Sequence, residues 1–227
     1  KPKLKKVTAL NLGDDAVLAA AQSGQVDLVF APPEFAKASV PNMKLVVMDT
    51  IDSFCVNMPQ EPEHDENGML VGNNVTSDPA IRQALNIGID RKAIIENALD
   101  GFGKPTMNFA EALSWANNDL QESDNRVDEA VKILEAAGWV DTDGDGIREK
   151  NGQKAEFVIN GRSNDLQRYN TAVALAQDAK KLGINIIAKS TPWSEARKIA
   201  RNIPTVWAGG DYTPQVIYNY FHSSQVG

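Results

Sequence analysis

Residues 155–188 constrain the fold of this chain more than any other stretch. An apolar run from Ala155 to Ile159 leads into a long helical pattern over 164–182, Gly183 stops it, and a second apolar run, 184–188, follows. Strand, helix, strand in that order is a βαβ unit, whose strands lie parallel and whose crossover is right-handed. The pattern continues with a short helix over 192–200 and a strand over 205–208, so the second half reads as α/β.

Upstream, Asp78 followed by Pro79 is a cap and first-turn signature, and Ile81, Ala84, Leu85 and Ile87 place apolar groups on one helical face. Asp90 starts a second helix lined by Ala93, Ile94 and Ala98. Asp124 or Asn125 opens a third, carrying Val127, Ala130, Val131, Leu134 and Ala137 up to Gly138. Before residue 59 the pattern predicts strands at 7–10, 26–30, 45–48 and 54–58, and a helix from Asp14 or Asp15 through Ala20, stopped by Gly24. Residues 59–76 break the periodicity with prolines, glycines, asparagines and acids, and mark a linker. The expected division is therefore 1–75, part of a first lobe with its linker, and 76–227, the larger part of a second.

At 227 residues the chain can bury a core without a disulfide or metal. Its single cysteine, Cys55, excludes an internal disulfide and a cysteine zinc site. The formal net charge of −7 gives no electrostatic reason to bind nucleic acid. No apolar run approaches the roughly 20 residues that span a bilayer, and the basic start at 1–6 is followed by no apolar leader.

Asp141, Asp143, Asp145 and Gly146 have the alternating acids of a calcium loop, where oxygen ligands surround a hard cation. The twelfth position, which should supply a bidentate glutamate, is Gly152, so the favoured reading is a polar turn entering a hairpin that returns through Asn151 and Gly152. Gly101, Gly103 and Lys104 fail as a phosphate loop: Ala98 stands where the first glycine belongs, and Pro105 replaces the hydroxyl residue. With only His64 and His222 and no nucleophile motif, no hydrolytic centre is visible, and no cofactor is expected.

The stretch Trp207, Ala208, Gly209, Gly210, Asp211, Tyr212 is the most informative for binding. Paired glycines let backbone approach a ligand, an acid can neutralise an ammonium group, and aromatics supply an apolar wall. A strand ending in a Gly-Gly-Asp turn, with Trp207 and Tyr212 in the core, explains the same residues equally well. Trp193 is by itself more often core than ligand wall.

The segment Thr76-Ser77-Asp78-Pro79-Ala80-Ile81-Arg82-Gln83-Ala84-Leu85, continuing to Ile89-Asp90-Arg91, resembles the D-P-x-V-R-Q-A-L…A-I-D-R signature of the bacterial extracellular solute-binding proteins, family 5. Gly101-Phe102-Gly103-Lys104-Pro105, Ala136-Ala137-Gly138-Trp139, Asp143-Gly144-Asp145-Gly146-Ile147-Arg148, Gly210-Asp211-Tyr212 and Phe221-His222-Ser223-Ser224 follow in the family's order. Ala21-Gln22-Ser23-Gly24-Gln25-Val26-Asp27-Leu28 is similar to the family's G-x-x-D strand approach upstream.

The resemblance implies a piece of a two-lobed periplasmic-binding-protein-like clamshell, with mixed sheets and flanking helices. It implies Lys1 inside the first lobe, Gly227 inside the second, and a lipid-anchored protein on the exterior face of the cell. Such proteins are not enzymes; they are monomers that capture oligopeptides or dipeptides and deliver them to an ABC permease. By the same resemblance Asp211 pairs with the ligand's α-amino group, Trp207 and Trp193 wall the ligand, Tyr212 packs beside them, and Gly209 and Gly210 let the chain approach. Where members often carry W-x-x-D, one more residue separates Trp207 from Asp211, and 202–206 lacks an arginine that meets the ligand carboxylate in some members. A nickel or metal-chelate receptor is the alternative within the family. A calcium-binding surface adhesion module, built on Asp141, Asp143 and Asp145, is the alternative from another class.

Overall fold

The computed structural model describes residues 3–31, 35–48, 50–64, 68, 70–107, 113–117, 119, 123–210 and 212–225. The chain forms two compact units, Lys1–Asp49 and Thr50–Gly227.

The first unit holds helix α1 (Asp14–Gln22). Gly24, at φ +71°, turns the chain after it, and the Gln25 N–H returns to the Ala20 carbonyl. Ala20 and Ala21 are buried, and Gln22 Nε2 donates to the Ser39 carbonyl. The strands expected at 7–10, 26–30 and 45–48 are not present. Those residues pair with no described strand, and Val7, Leu28, Phe30 and Val46 are exposed. An alternating apolar pattern becomes a strand only when a neighbour completes its hydrogen-bond ladder.

The second unit contains β1 (Ser53–Asn57), β2 (Glu63–His64), β3 (Leu70–Val71), α2 (Pro79–Gly88), α3 (Arg91–Leu99), α4 (Val127–Ala136), β4 (Glu149–Lys150), β5 (Gln153–Lys154), β6 (Glu156–Arg162), α5 (Leu166–Ala179), β7 (Asn185–Thr191), α6 (Trp193–Ile199), β8 (Thr205–Gly209) and α7 (Gln215–Phe221). Four strands form one sheet in the order β1-β8-β6-β7. β6 and β7 are parallel from Glu156↔Asn185 to Arg162↔Thr191, and β8 joins β6 in parallel at Asn160↔Thr205. β1 closes the other edge antiparallel, from Ser53↔Gly209 to Asn57↔Thr205. The expected βαβ unit is thus β6-α5-β7. The sequence-based linker at 59–76 lies beyond β1, which is laddered into the sheet of the second unit.

Side-chain caps start α2, α3 and α5; those at Asp78 and Asp90 stand where the sequence predicts helix starts, and the structure adds one at Asp165. The Asp78 carboxylate accepts from Ala80 N–H, Asp90 from Ala93 N–H, and Asp165 from Arg168 N–H. Each such cap contributes about 1 kcal/mol. Asp124 behaves differently: it accepts from Arg91 N–H at 2.8 Å, in the first turn of α3, while α4 begins without a side-chain cap. A short 3-10 turn (Lys180–Leu182) ends α5, and Gly183 at φ +73° supplies the left-handed residue that releases the chain into β7.

Ile81, Leu134, Trp139, Ile159, Leu182 and Val206 form the centre of the core, all buried. Burying such side chains contributes roughly 1.5–3 kcal/mol each for the aliphatic ones. Gly161 lets α5 lie directly on β6, since a Cβ there would stand 2.4 Å from Tyr169 Cα. Trp139 is buried, yet its indole N–H is satisfied by Asp78 Oδ2 at 3.0 Å, which also accepts from Lys150 Nζ at 2.7 Å. Burial alone would raise the Asp78 pKa, but the hydrogen bonds from Lys150, Ala80 and Trp139 outweigh it and hold the carboxyl below its usual value. No helix among the described residues is long and apolar enough to cross a membrane.

Candidate functional site

β6 and β7 end together at Arg162 and Thr191, while β8 begins beside the end of β6, at Asn160↔Thr205, and runs on to Gly209, with Ser53 of β1 opposite Gly209. In α/β sheets the carboxyl ends of strands are where ligands bind, because loops and helix starts there are free to carry polar groups. Trp193 opens α6 immediately after β7, and Trp207 lies in β8. Their rings meet with centroids 4.7 Å apart at 58°. The fold therefore brings these two sequence candidates together.

Arg162, the last residue of β6, places its guanidinium 4.5 Å over the Trp193 ring. A cation–aromatic contact of this kind contributes about 0.5–2 kcal/mol and fixes the plane of the guanidinium. Arg162 Nη1 lies 3.9 Å from Asp165 Oδ2, whereas its Nε is buried with no hydrogen-bond partner. Two residues back on the same strand, Asn160 is buried; its Oδ1 accepts from Thr191 Oγ1 at 3.0 Å and its Nδ2 has no partner. Period-two alternation puts Asn160 and Arg162 on one face of β6. Neither residue was a sequence candidate. The available signal was position: a polar pair at the carboxyl end of the first strand of a βαβ unit.

Gly209 and Gly210 occupy the end of β8 and the residue after it. A Cβ on Gly210 would stand 2.2 Å from the Ile51 carbonyl oxygen, so only glycine permits this close backbone approach. Asp211 lies outside the described residues. Tyr212 is 74% exposed, so its side chain is not part of a core, and its backbone carbonyl accepts from Trp115 Nε1 at 3.0 Å. Of the six proposed ligand-binding residues, Trp193, Trp207, Gly209 and Gly210 therefore gather at one end of the sheet. Tyr212 follows directly in the chain.

The acidic loop is a network of turns. Asp141 accepts from the N–H groups of Gly144 and Gly146, Asp143 from that of Asp145, and Asp145 from that of Ile147. Asp141, Asp143 and Glu149 place one oxygen each within 4.8 Å of one another, a spacing that can hold a cation. Asp145 instead pairs with Lys154 Nζ, which also reaches Asp143 Oδ2 at 3.2 Å. The hydrogen bonds to Asp145 and Asp143 raise the Lys154 pKa, and that to Lys154 leads in lowering Asp145. The loop leads into the expected hairpin, β4 and β5, turning through Asn151 at φ 52° and Gly152 at φ 77°. Gly101, Gly103 and Lys104 follow α3 as a loop.

The histidine at the far end does not face this site's aromatics among the described contacts. His222 stacks on Tyr218 with centroids 4.5 Å apart and shares a hydrogen bond with Ser224 Oγ at 2.8 Å.

The chain is 28% identical over 241 residues to the oligopeptide-binding protein AppA of Bacillus subtilis, covering 100% of this chain and 42% of AppA. It is 30% identical over 194 residues to the nickel-binding periplasmic protein of Escherichia coli, covering 82% of this chain and 35% of that protein. Among solved structures, AppA in complex with a nonapeptide superposes with a TM-score of 0.77 at 26% identity, over 94% of this chain and 42% of AppA. NikZ of Campylobacter jejuni, in complex with Ni(L-His), shares the fold with a TM-score of 0.76 at 22% identity, over 94% of this chain and 41% of NikZ. The chain thus spans less than half the length of these relatives, which are binding proteins and not enzymes. Residues 1–227 match the family described as bacterial extracellular solute-binding proteins, family 5 Middle, and the chain belongs to that family.

Proposed function

We propose that this chain is the central part of an extracellular, lipid-anchored receptor that captures peptides and delivers them to an ABC permease. The observation that carries the reading is the meeting of Trp193, Trp207 and Arg162 at the carboxyl ends of β6 and β7, where β8 runs on toward the Gly209–Gly210 approach. Two aromatic rings give a sequence-tolerant apolar wall, while the unpartnered donors on Asn160 and Arg162 suit a ligand rich in carbonyl and carboxylate oxygens. A peptide is such a ligand. Asp211 takes the ligand's α-amino group, and Arg162 accepts a carboxylate in the role that 202–206 has no arginine to fill.

The nickel-binding relative supports a second reading, a metal-chelate receptor. Titration calorimetry of the full-length protein against a synthetic nonapeptide pool and against nickel L-histidine separates the two. Saturable binding of the pool, weakened by Asp211→Ala, is the expected result. Removing one partner of a buried charge pair costs roughly 3–5 kcal/mol. Binding of nickel L-histidine alone, unchanged by Asp211→Ala, would overturn the peptide reading.

A further inference from the structure

Two arginines flank one carboxylate at the start of α5. Asp165 Oδ1 accepts the Arg168 N–H at 3.1 Å, which caps the helix. Its Oδ2 pairs closely with Arg168 Nη1, while Arg162 Nη1 stands off at 3.9 Å from that same oxygen. Each guanidinium also lies against an aromatic ring. Arg168 Cζ is 5.0 Å from the ring centre of Phe54 on β1, and Arg162 Cζ is 4.5 Å from that of Trp193 on α6. Both oxygens of Asp165 are thus engaged by Arg168. Among the described residues, Arg162 is left with a distant ion pair and a buried, unpartnered Nε.

Helix stability does not explain Arg168. It is the third residue of α5, and a cation in the first turn opposes the helix dipole. Its effect on Arg162 does explain it. A guanidinium already paired with a protein carboxylate has to give that pair up before it takes a ligand's, whereas one held at a distance from its neighbour is ready to form the charge-assisted bond. One carboxylate between two arginines also leaves one positive charge over, which suits an anionic group. We propose that Arg168 is a positioning residue: by occupying Asp165 it keeps the Arg162 guanidinium open to a ligand carboxylate. Phe54, on the edge strand of the sheet, holds Arg168 in that place through its ring. This rests on the reading of Arg162 as the acceptor of a ligand carboxylate.

The test uses the full-length protein and a nonapeptide pool without acidic side chains, with carboxyl termini either free or amidated. The ratio of the two dissociation constants, amidated over free, reads carboxylate recognition by itself. Arg168→Met keeps an apolar stem against Phe54 and releases Asp165 to close on Arg162. The ratio should then fall about 2- to 5-fold, the strength of a partly exposed ion pair. Binding of the amidated pool should be nearly unchanged, which also shows that the variant is folded. Arg168→Lys supplies another cation to Asp165 and should retain most of the ratio. Asp165→Asn keeps the helix cap, because asparagine caps as well as aspartate, and should not lower the ratio. In that background Arg168→Met should have no further effect, since the competing carboxylate is gone.

An unchanged ratio in Arg168→Met would overturn the proposal. So would an equal fall in the Asp165→Asn background, which would mean that Arg168 itself draws the carboxylate, or an Arg168→Lys variant as impaired as Arg168→Met. A ratio lowered by Asp165→Asn alone would overturn it too, with Asp165 then holding Arg162 in place rather than competing for it. If Arg162→Met leaves the parent ratio intact, Arg162 does not meet the ligand carboxylate; the underlying reading fails instead, and the inference with it.

Discussion

Asp78 offers the sharpest test of how the second unit is held together. Its carboxylate caps α2 through Ala80 N–H, accepts the indole N–H of a buried tryptophan and pairs with Lys150. Replacing it with alanine removes the cap, at about 0.5–2 kcal/mol. It also leaves the Trp139 donor buried and unsatisfied, at about 1–3 kcal/mol. Lys150 is one-third exposed in its side chain and adds little. The sum is a loss of about 1.5–5 kcal/mol, measured by urea unfolding at neutral pH.

The sign of the pH dependence follows from the depressed Asp78 pKa. The unfolded carboxyl titrates at about 3.9, and the folded one lower. The charge-dependent contribution is therefore complete above the unfolded value and lost as pH falls through the folded one. The difference between parent and Asp78→Ala should shrink on acidification through that window. A loss below about 0.5 kcal/mol, or one that does not change with pH, would refute the reasoning.

Gly161→Ala should destabilise by about 1–3 kcal/mol in the same assay, because its Cβ would meet the α5 backbone at Tyr169, which cannot yield as a side-chain tip would. Arg162→Met should weaken binding of peptides with free carboxyl termini by roughly tenfold in the full-length protein, but not binding of their amidated forms. Lys154→Met should make the melting temperature respond to calcium, since the ammonium that now lies against Asp143 and Asp145 is removed. A parent protein already stabilised by calcium would contradict that account of the loop.

Features governed by nearby residues were legible in the sequence. The caps at Asp78 and Asp90, the stop at Gly183 and the βαβ order each depend on a few consecutive positions, and all are present. Features governed by distant partners were not. The runs at 7–10, 26–30 and 45–48 have strand composition but no described ladder partner, and β1 joins the sheet through β8, far along the chain. Asp124 caps the neighbouring α3 because the chain turns back through Asn125 at φ 57° before α4 begins. Trp193 and Trp207 could be named from the sequence, but their contact needed β7 and β8 to lie on either side of β6 at its carboxyl end. Arg162 and Arg168 escaped notice because neither stands in a motif, and each gains meaning only from what lies across from it.

The hairpin between β4 and β5 carries a further consequence. Surface turns are ordinarily where a chain tolerates insertions over evolution. Here the two-residue turn at Asn151 and Gly152 fixes a register of Glu149↔Lys154 and Lys150↔Gln153. That register aims Lys150 at Asp78 and Lys154 at the acidic loop. Because side chains alternate across a strand, one added residue would slip the register and turn Lys154 to the opposite face. The turn is exposed by position and yet fixed in length, so related sequences should vary in the residues around it far more readily than in their number.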